Sequence, residues 1–215
     1  MTARALAAET IGTALLVAAV VGSGIMADGL TADTALALLA NTAATAAALV
    51  VPITIFGPLS GAQFNPVVTM VMALRGEMPA SRVLPYIAAQ ILGGFLGTLF
   101  AHAMFDLPLL QTSSTIRTGT SQWIAEGVAS FGLILTILGT LRANGNVAAT
   151  VADYIAAAYW FTSSTSFANP TVTIARTLTD SFAGIRPMDA PGFILAQIAG
   201  ALLALAIGNW LFKRD

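Results

Sequence analysis

Two short stretches hold the residues whose types and spacing could do chemistry, and they resemble each other. Asn65-Pro66-Val67 comes after Gly61-Ala62-Gln63, and Asn169-Pro170-Thr171 comes after Ser164-Thr165-Ser166, with the two Asn residues 104 positions apart. An Asn at the N-cap with a Pro at N1 starts a helix, whose first N–H groups are donors at the positive end of the helix dipole. The carbonyl groups of the preceding residues are acceptors. A path lined in this way suits small neutral molecules with hydroxyl groups and repels cations.

The composition of the chain puts both stretches in a membrane. The 215 residues are 57% hydrophobic and 9% charged, with a mean hydropathy of +0.83, whereas soluble domains carry about 25% charged residues. Residues 34–74 contain no Asp, Glu, Lys or Arg, and a membrane-spanning helix needs only about 20 apolar residues. The net charge of −1 gives no sign of a nucleic-acid partner, and the absence of cysteine excludes disulfides and thiolate chemistry. We expect no cofactor.

We predict an all-α membrane protein with six transmembrane helices and two half-helices. The six spans are expected at about 5–27, 35–56, 83–105, 120–141, 145–162 and 190–212. The half-helices begin at the two Asn-Pro pairs and cover about 65–75 and 169–180. Each is roughly 16 to 18 Å long, which is too short to cross a hydrocarbon core of about 30 Å. Two half-helices that meet end to end would cross it.

The two halves of the chain also match outside the Asn-Pro stretches. Ala8-Glu9 resembles Ala125-Glu126, and the last span of each half carries a Gln, at Gln90 and Gln197. Because three spans separate the two starts, the halves enter the membrane from opposite sides. We therefore predict an inverted repeat, 1–116 and 117–215, that forms a single pore domain in which the half-helices meet by their N-termini.

The distribution of Lys and Arg predicts that both termini are cytoplasmic. In that orientation six basic residues lie inside and three outside, as the positive-inside rule requires. The inner six are Arg4, Arg75, Arg82, Arg142, Lys213 and Arg214, and the outer three are Arg117, Arg176 and Arg186.

These features resemble the major intrinsic protein family, the aquaporins and aquaglyceroporins, over essentially the whole chain. The paired Asn-Pro-Ala signatures of that family appear here as Asn65-Pro66-Val67 and Asn169-Pro170-Thr171. The resemblance implies a pore of six helices and two half-helices, in a homotetramer with one pore per subunit and in a bacterial inner membrane. It also implies that Glu9 and Glu126 brace the two loops by hydrogen bonds. An interfacial carboxylate is the alternative for each glutamate.

The resemblance also points to a selectivity filter at four positions, which are counted from the two Asn residues. In this chain they fall at Thr45, Ala157, Ser166 and Val172. Most family members have Arg at the last position and a bulky aromatic residue at one or more of the others. All four residues here are uncharged and small or medium in size. We therefore expect a wider opening than in a water-selective pore, and the alternative is that neighbouring side chains fold in and narrow it.

Three further polar residues need an interpretation. Arg176 lies four residues after Val172, one helical turn nearer the outer mouth, and it either replaces part of the missing charge or extends to the membrane interface. Asp153 on the fifth span is interpreted as another brace rather than as a residue that faces the lumen. His102 and Asp106 are interpreted as a surface pair, and no metal site is expected.

The segment 178–187, with Val172 in place of Arg, resembles a bacterial subgroup of aquaglyceroporin-like channels associated with arsenic resistance. We therefore predict a passive channel for small neutral polar solutes, namely glycerol-like polyols, arsenous acid and some water. A water-selective aquaporin is the alternative within the class. A secondary transporter is the alternative outside it, since transporters also have inverted repeats and broken helices. No nucleophile–base arrangement indicates an enzyme.

Replacing Val172 with Arg should return charge and bulk to the proposed filter. In Val172→Arg we expect the flux of glycerol-sized solutes to fall more than the flux of water. The Arg side chain would narrow the filter, and a narrower filter hinders a larger molecule more than a smaller one. Light scattering from proteoliposomes measures both fluxes. Equal losses for water and glycerol would show that residue 172 does not set the size limit.

Overall fold

The protein is built from helices that run back and forth between two sides of the molecule. The computed structural model describes residues 3–213, so Arg214 of the predicted orientation lies outside the described residues. This range contains eight α-helices and two short 3-10 turns, Ala80–Arg82 and Pro187–Asp189. The helices are α1 (Ala3–Leu30), α2 (Thr34–Ser60), α3 (Pro66–Leu74), α4 (Val83–Met104), α5 (Thr120–Arg142), α6 (Val147–Phe161), α7 (Pro170–Arg176) and α8 (Ala190–Leu211).

The helices confirm the predicted all-α membrane architecture, with two differences in length. Five of the described helices are long and apolar enough to cross a membrane, namely α1, α2, α4, α5 and α8. For α4 and α8 the span includes the 3-10 turn that precedes the helix. α6 has 15 residues and is shorter than the predicted span 145–162, because Asn146 caps its start and the backbone becomes extended at Thr162. The half-helix α7 ends at Arg176 instead of residue 180, so it has 7 residues.

The two halves of the chain pair their helices in the same way. α1 packs against α2 and α4, and α5 packs against α6 and α8. The halves are joined where α2 packs against α6, where α4 packs against α7 and where α3 packs against α8. This repeated pairing supports the predicted inverted repeat, whose boundary between residues 116 and 117 stays a prediction.

Polar contacts distinguish the two sides of the molecule. On the first, called the terminal side, Nη1 of Arg75 after α3 donates to Oδ1 of Asn209 near the end of α8 at 2.8 Å. On the second, called the loop side, the segments 105–119 and 177–189 lie together, and the N–H of Ser113 donates to the carbonyl of Thr177 at 3.0 Å. The half-helix α3 therefore ends on the terminal side, and α7 ends on the loop side.

Close helix packing depends on glycine at the last long helix of each half. A Cβ atom at Gly93 of α4 would collide with the carbonyl oxygen of Thr10 in α1. A Cβ atom at Gly200 of α8 would collide with the carbonyl oxygen of Gly127 in α5. Small residues let helix backbones approach in this way where no hydrophobic effect drives helices together in lipid.

We expect Gly93→Ala to lower the stability of the folded chain, because the added methyl group meets backbone that cannot move aside. The loss should be about 1–3 kcal/mol, as for other overpacked sites, and thermal unfolding of the detergent-solubilised protein measures it. Gly29→Ala on α1 is the matched control, since nothing lies within 4 Å of a Cβ atom there. Equal melting of the two variants would contradict the packing interpretation.

Candidate functional site

The two half-helices are joined at their N-termini by a reciprocal pair of hydrogen bonds. Nδ2 of Asn65 donates to the carbonyl of Ala168 at 2.8 Å, and Nδ2 of Asn169 donates to the carbonyl of Phe64 at 2.9 Å. Each Oδ1 caps its own helix by accepting from the backbone N–H two residues on, at 3.0 and 2.9 Å. Since an amide NH₂ group has two N–H bonds, each Asn keeps one donor for a molecule beside it.

The loops before the half-helices are strained at matched positions. Ala62 and Phe64 in the first loop have φ angles of 48° and 48°, and Ser166 and Ala168 in the second have 50° and 48°. Residues other than glycine rarely adopt this left-handed conformation. Such backbone continues neither a helix nor a strand, so its polar groups need other partners.

Glu9 holds the first loop in this conformation. The residue is 0% exposed, and its Oε1 accepts from the N–H of Gln63 at 3.0 Å and from Oγ of Ser60 at 2.6 Å. Its Oε2 accepts from the N–H of Phe64 at 2.8 Å and from Nε2 of Gln90 at 2.8 Å. A carboxylate so far from water is stable only when hydrogen bonds of this kind replace its hydration.

Glu126 holds the second loop with the same geometry. Its Oε1 accepts from the N–H of Phe167 at 2.9 Å, and its Oε2 accepts from the N–H of Ala168 at 2.9 Å and from Nε2 of Gln197 at 2.6 Å. Like Glu9, it is 0% exposed. Both glutamates therefore make the loop contacts that the resemblance implies, and neither is interfacial.

A cavity of about 740 Å³ passes both half-helix N-termini. Its wall includes Glu77 and Arg82 on the terminal side and Tyr159 and Arg176 on the loop side. Among the described residues, the carbonyl groups of Gly61, Ala62 and Gln63 have no hydrogen-bond partner, which leaves them as acceptors, whereas the carbonyl of Phe64 accepts from Asn169. The predicted residues that line the cavity are Thr45, Gly61, Ala62, Gln63, Asn65, Ser166, Asn169 and Val172.

Six predicted pore residues do not line this cavity. Four of them form the first turns of the half-helices, where they pack against neighbouring helices. For example, a Cβ atom at Gly94 of α4 would lie 2.8 Å from the side chain of Thr171 in α7. In the second loop the carbonyl of residue 164 accepts from Nη1 of Arg117 at 3.5 Å, and Phe167 and Ala168 line the cavity instead. The six are Pro66, Val67, Pro170, Thr171, Ser164 and Thr165.

The predicted position Ala157 is also wrong. Ala157 lies on an exposed face of α6, whereas Tyr159 lines the cavity and its hydroxyl donates to Oγ1 of Thr45 at 3.3 Å. Two residues along a helix correspond to about 200° of rotation, so this small error in spacing selects the opposite face. Sequence reasoning missed Tyr159, although an aromatic residue near the end of the fifth span was a signal for it.

Arg176 is buried, so of the two alternatives for this residue the extension to the membrane interface is wrong. The residue is 2% exposed and lines the cavity. The central carbon of its guanidinium lies 3.4 Å from the ring centroid of Phe167, and Nε donates to the carbonyl of Ala183. The loop side of the cavity therefore has a cationic side chain on its wall, although residue 172 is Val.

The loop side is held together by Arg117 and Asp180. Nε of Arg117 donates to the carbonyl of Gly184 at 2.8 Å, and its burial lowers the pKa of the guanidinium because desolvation penalises the charged form. Oδ1 of Asp180 accepts from the N–H of Ser114 at 2.9 Å, and this backbone hydrogen bond lowers the pKa of the carboxyl. These contacts fix segment 177–189 over the loop-side end of the cavity.

Two other predicted roles are corrected. Asp153 lies on an exposed face of α6 and neither braces a loop nor lines the cavity. His102 is buried instead of paired with Asp106 at the surface: its Nδ1 donates to the carbonyl of Leu109 at 2.9 Å, and its Nε2 lies 2.9 Å from Oγ1 of Thr179. In both cases helix packing decides which face turns inward, and the spacing of polar residues does not reveal it.

A cavity between two Asn-capped half-helices, inside a bundle of apolar helices, defines a membrane channel of the aquaporin type. The family model described as major intrinsic protein matches residues 1–163. The chain belongs to this family, whose members are multi-pass membrane channels for small solutes and water, not enzymes.

The comparisons with individual proteins agree with this assignment. The chain is 58% identical over 207 residues to aquaglyceroporin AqpS of Rhizobium meliloti (strain 1021), covering 96% of this chain and 89% of that protein. It is 31% identical over 144 residues to the glycerol uptake facilitator protein of Streptococcus pneumoniae (strain ATCC BAA-255 / R6), covering 60% of this chain and 61% of that protein. The X-ray structure of the aquaglyceroporin from Plasmodium falciparum shares the fold, with a TM-score of 0.72 at 20% identity over 98% of this chain and 95% of that one.

We expect Glu126→Gln to destabilise the second loop, because the amide NH₂ would face backbone N–H donors. The loss of stability should be about 1–3 kcal/mol, the usual result of leaving buried donors without an acceptor. Thermal unfolding in detergent measures it, and solute flux should fall with it. Asp153→Asn is the control, since it removes an exposed carboxylate that makes no hydrogen bond or ion pair with the described residues. Equal stability of the two variants would contradict the bracing role.

Proposed function

We propose that the chain is a passive channel for glycerol-like polyols and arsenous acid, with some water. The observation that carries this proposal is the chemistry of the cavity wall at its loop-side end. Tyr159 and Thr45 contribute hydroxyl groups there, and Val172 contributes an apolar surface. A polyol has a hydroxyl edge and a hydrocarbon edge, so it fits a wall that is polar on one side and apolar on the other.

The size of the side chains around the loop-side opening favours polyols over water alone. Ser166 and Val172 line the cavity at this level, and neither carries a charge or a bulky group that would fill the path. Tyr159 supplies one bulky group, which makes this opening narrower than four small residues would give. A water-selective pore would need a tighter ring of donors at this level.

The carboxylates argue against a secondary transporter. A transporter needs a site for its coupling ion, and acidic residues at membrane depth are the usual candidates. Glu9 and Glu126 already accept hydrogen bonds from the strained loops, and Asp153 does not line the cavity. A proton or Na⁺ that crosses the cavity therefore meets none of these three groups.

The particular solutes are proposed from similar proteins, and the orientation in the membrane is proposed from the distribution of Lys and Arg. The name of the streptococcal relative supports glycerol as a solute, and the resemblance of segment 178–187 to arsenic-associated channels supports arsenous acid. We place the chain in a bacterial inner membrane with both termini cytoplasmic, because Lys and Arg are concentrated on the terminal side. We also propose that four copies form a homotetramer with one pore per subunit.

Stopped-flow light scattering from proteoliposomes tests the proposal. We expect vesicles that contain the protein to take up glycerol and arsenous acid faster than empty vesicles, with flux that stays linear in concentration and ignores a pH gradient. Fast water flux without either solute would favour a water channel. Saturable flux that follows the pH gradient would favour a transporter.

A further inference from the structure

We propose that Arg176 is the cation barrier of this pathway and that Arg117 is the positioning residue that keeps it in place. The inference rests on the proposed function of the cavity as a solute pathway. It separates two properties of the loop-side end: the width is set at Val172, and the charge is set four residues later.

The first step is the fixed position of the Arg176 guanidinium. Its central carbon lies 3.4 Å from the ring centroid of Phe167, within the range of a cation–π contact. The Nε–H group of Arg176 donates to the carbonyl of Ala183. Phe167 and Arg176 both line the cavity, so the charge stands on the wall and cannot swing toward the lipid without losing both contacts.

The second step is that no carboxylate neutralises this charge by direct contact. In the described chain the salt bridges join Arg75 to Glu77 and Arg186 to Asp189. Nη1 of Arg176 is buried and has no hydrogen-bond partner there. In a medium of low dielectric constant, a charge without a paired counter-ion acts over several ångströms, so a cation in the cavity is repelled.

The third step is the support that Arg117 gives. Its guanidinium carbon lies 5.3 Å from the same Phe167 centroid, and Nε and Nη2 donate to the carbonyls of Gly184 and Phe182 at 2.8 and 3.4 Å. These two residues flank Ala183, whose carbonyl accepts from Arg176. Arg117 does not line the cavity, so it acts through the loop and through its own positive charge.

The arrangement explains how a wide opening can still exclude ions. At position 172 an Arg would narrow the path and charge it at the same level. At position 176 the guanidinium carbon lies over the ring of Phe167, which also lines the wall, so it adds charge to the wall at a different level from residue 172. Neutral solutes then pass according to size, and cations meet a positive potential before they reach the half-helix N-termini.

Cation leak in proteoliposomes tests this assignment. Entry of protons and K⁺ is followed with a pH-sensitive dye and a K⁺ electrode, and glycerol uptake is followed in the same preparations. For Arg176→Gln we expect a leak about ten- to a hundredfold above the wild-type protein, the size of one lost charge a few ångströms from the ion. Glycerol uptake should persist. For Arg117→Gln we expect a smaller leak, because this residue lies behind the wall.

Two further variants complete the test. Arg75→Gln removes a positive charge on the terminal side, away from the cavity wall, and should not leak. The double variant V172R/R176Q returns the charge one turn deeper and should suppress the leak while it slows glycerol. If Arg176→Gln does not fold, Arg176→Met takes its place; it removes the same charge, so a folded Arg176→Met variant without a leak would overturn the proposal.

The outcomes separate this inference from the proposed function. An Arg176→Gln variant that conducts glycerol without any rise in cation leak overturns the role of Arg176. A wild-type protein that conducts no glycerol overturns the proposed function. In that case a leak that appears only in Arg176→Gln still supports the barrier, because it shows an open path that Arg176 guards.

Discussion

Two buried carboxylates, at Glu9 and Glu126, are the constraint on which the rest of the structure depends. Each accepts two backbone N–H groups of a loop whose residues adopt left-handed φ angles. Without such an acceptor those N–H groups would be unpaired away from water, and the loop would favour another conformation. Because the carboxylates take the N–H groups, carbonyl groups remain free for molecules in the cavity, and the half-helices begin at the centre of the molecule.

Four of the side chains that line the loop-side end of the cavity come from three different helices. Thr45 comes from α2, Tyr159 from α6, and Val172 and Arg176 from α7. Only α7 is held by a braced loop; the other side chains depend on the packing of long helices. Hydrogen bonding through Thr45 and Tyr159 therefore depends on the packing of the bundle, whereas the width at Val172 and the charge at Arg176 both depend on α7. The position of the charge depends further on segment 177–189 and on the Phe167 ring.

The fold and the centre of the site could be predicted because their signals are local. An Asn-Pro pair starts a helix wherever it lies, and a glutamate repeated at matched positions implies matched roles. The side walls could not be predicted in the same way. Ala157 was chosen by counting residues across a loop, and an error of two positions turned the prediction to the wrong face of α6. Asp153 was interpreted as a brace from its place in the fifth span, and the sequence did not reveal that it lies on the exposed face of α6. The direction of Arg176 depends on Phe167 and Ala183, which no spacing in the sequence connects to it.

The reciprocal bonds of Asn65 and Asn169 have a consequence for how the duplicated halves depend on each other. Each half supplies a donor that only the other half accepts and a carbonyl that only the other half satisfies. Neither half has a complete centre by itself, because the Asn of each half needs a carbonyl of the other. A substitution that loosens one half-helix therefore reaches the other directly, through two hydrogen bonds, without passing through the surrounding helices.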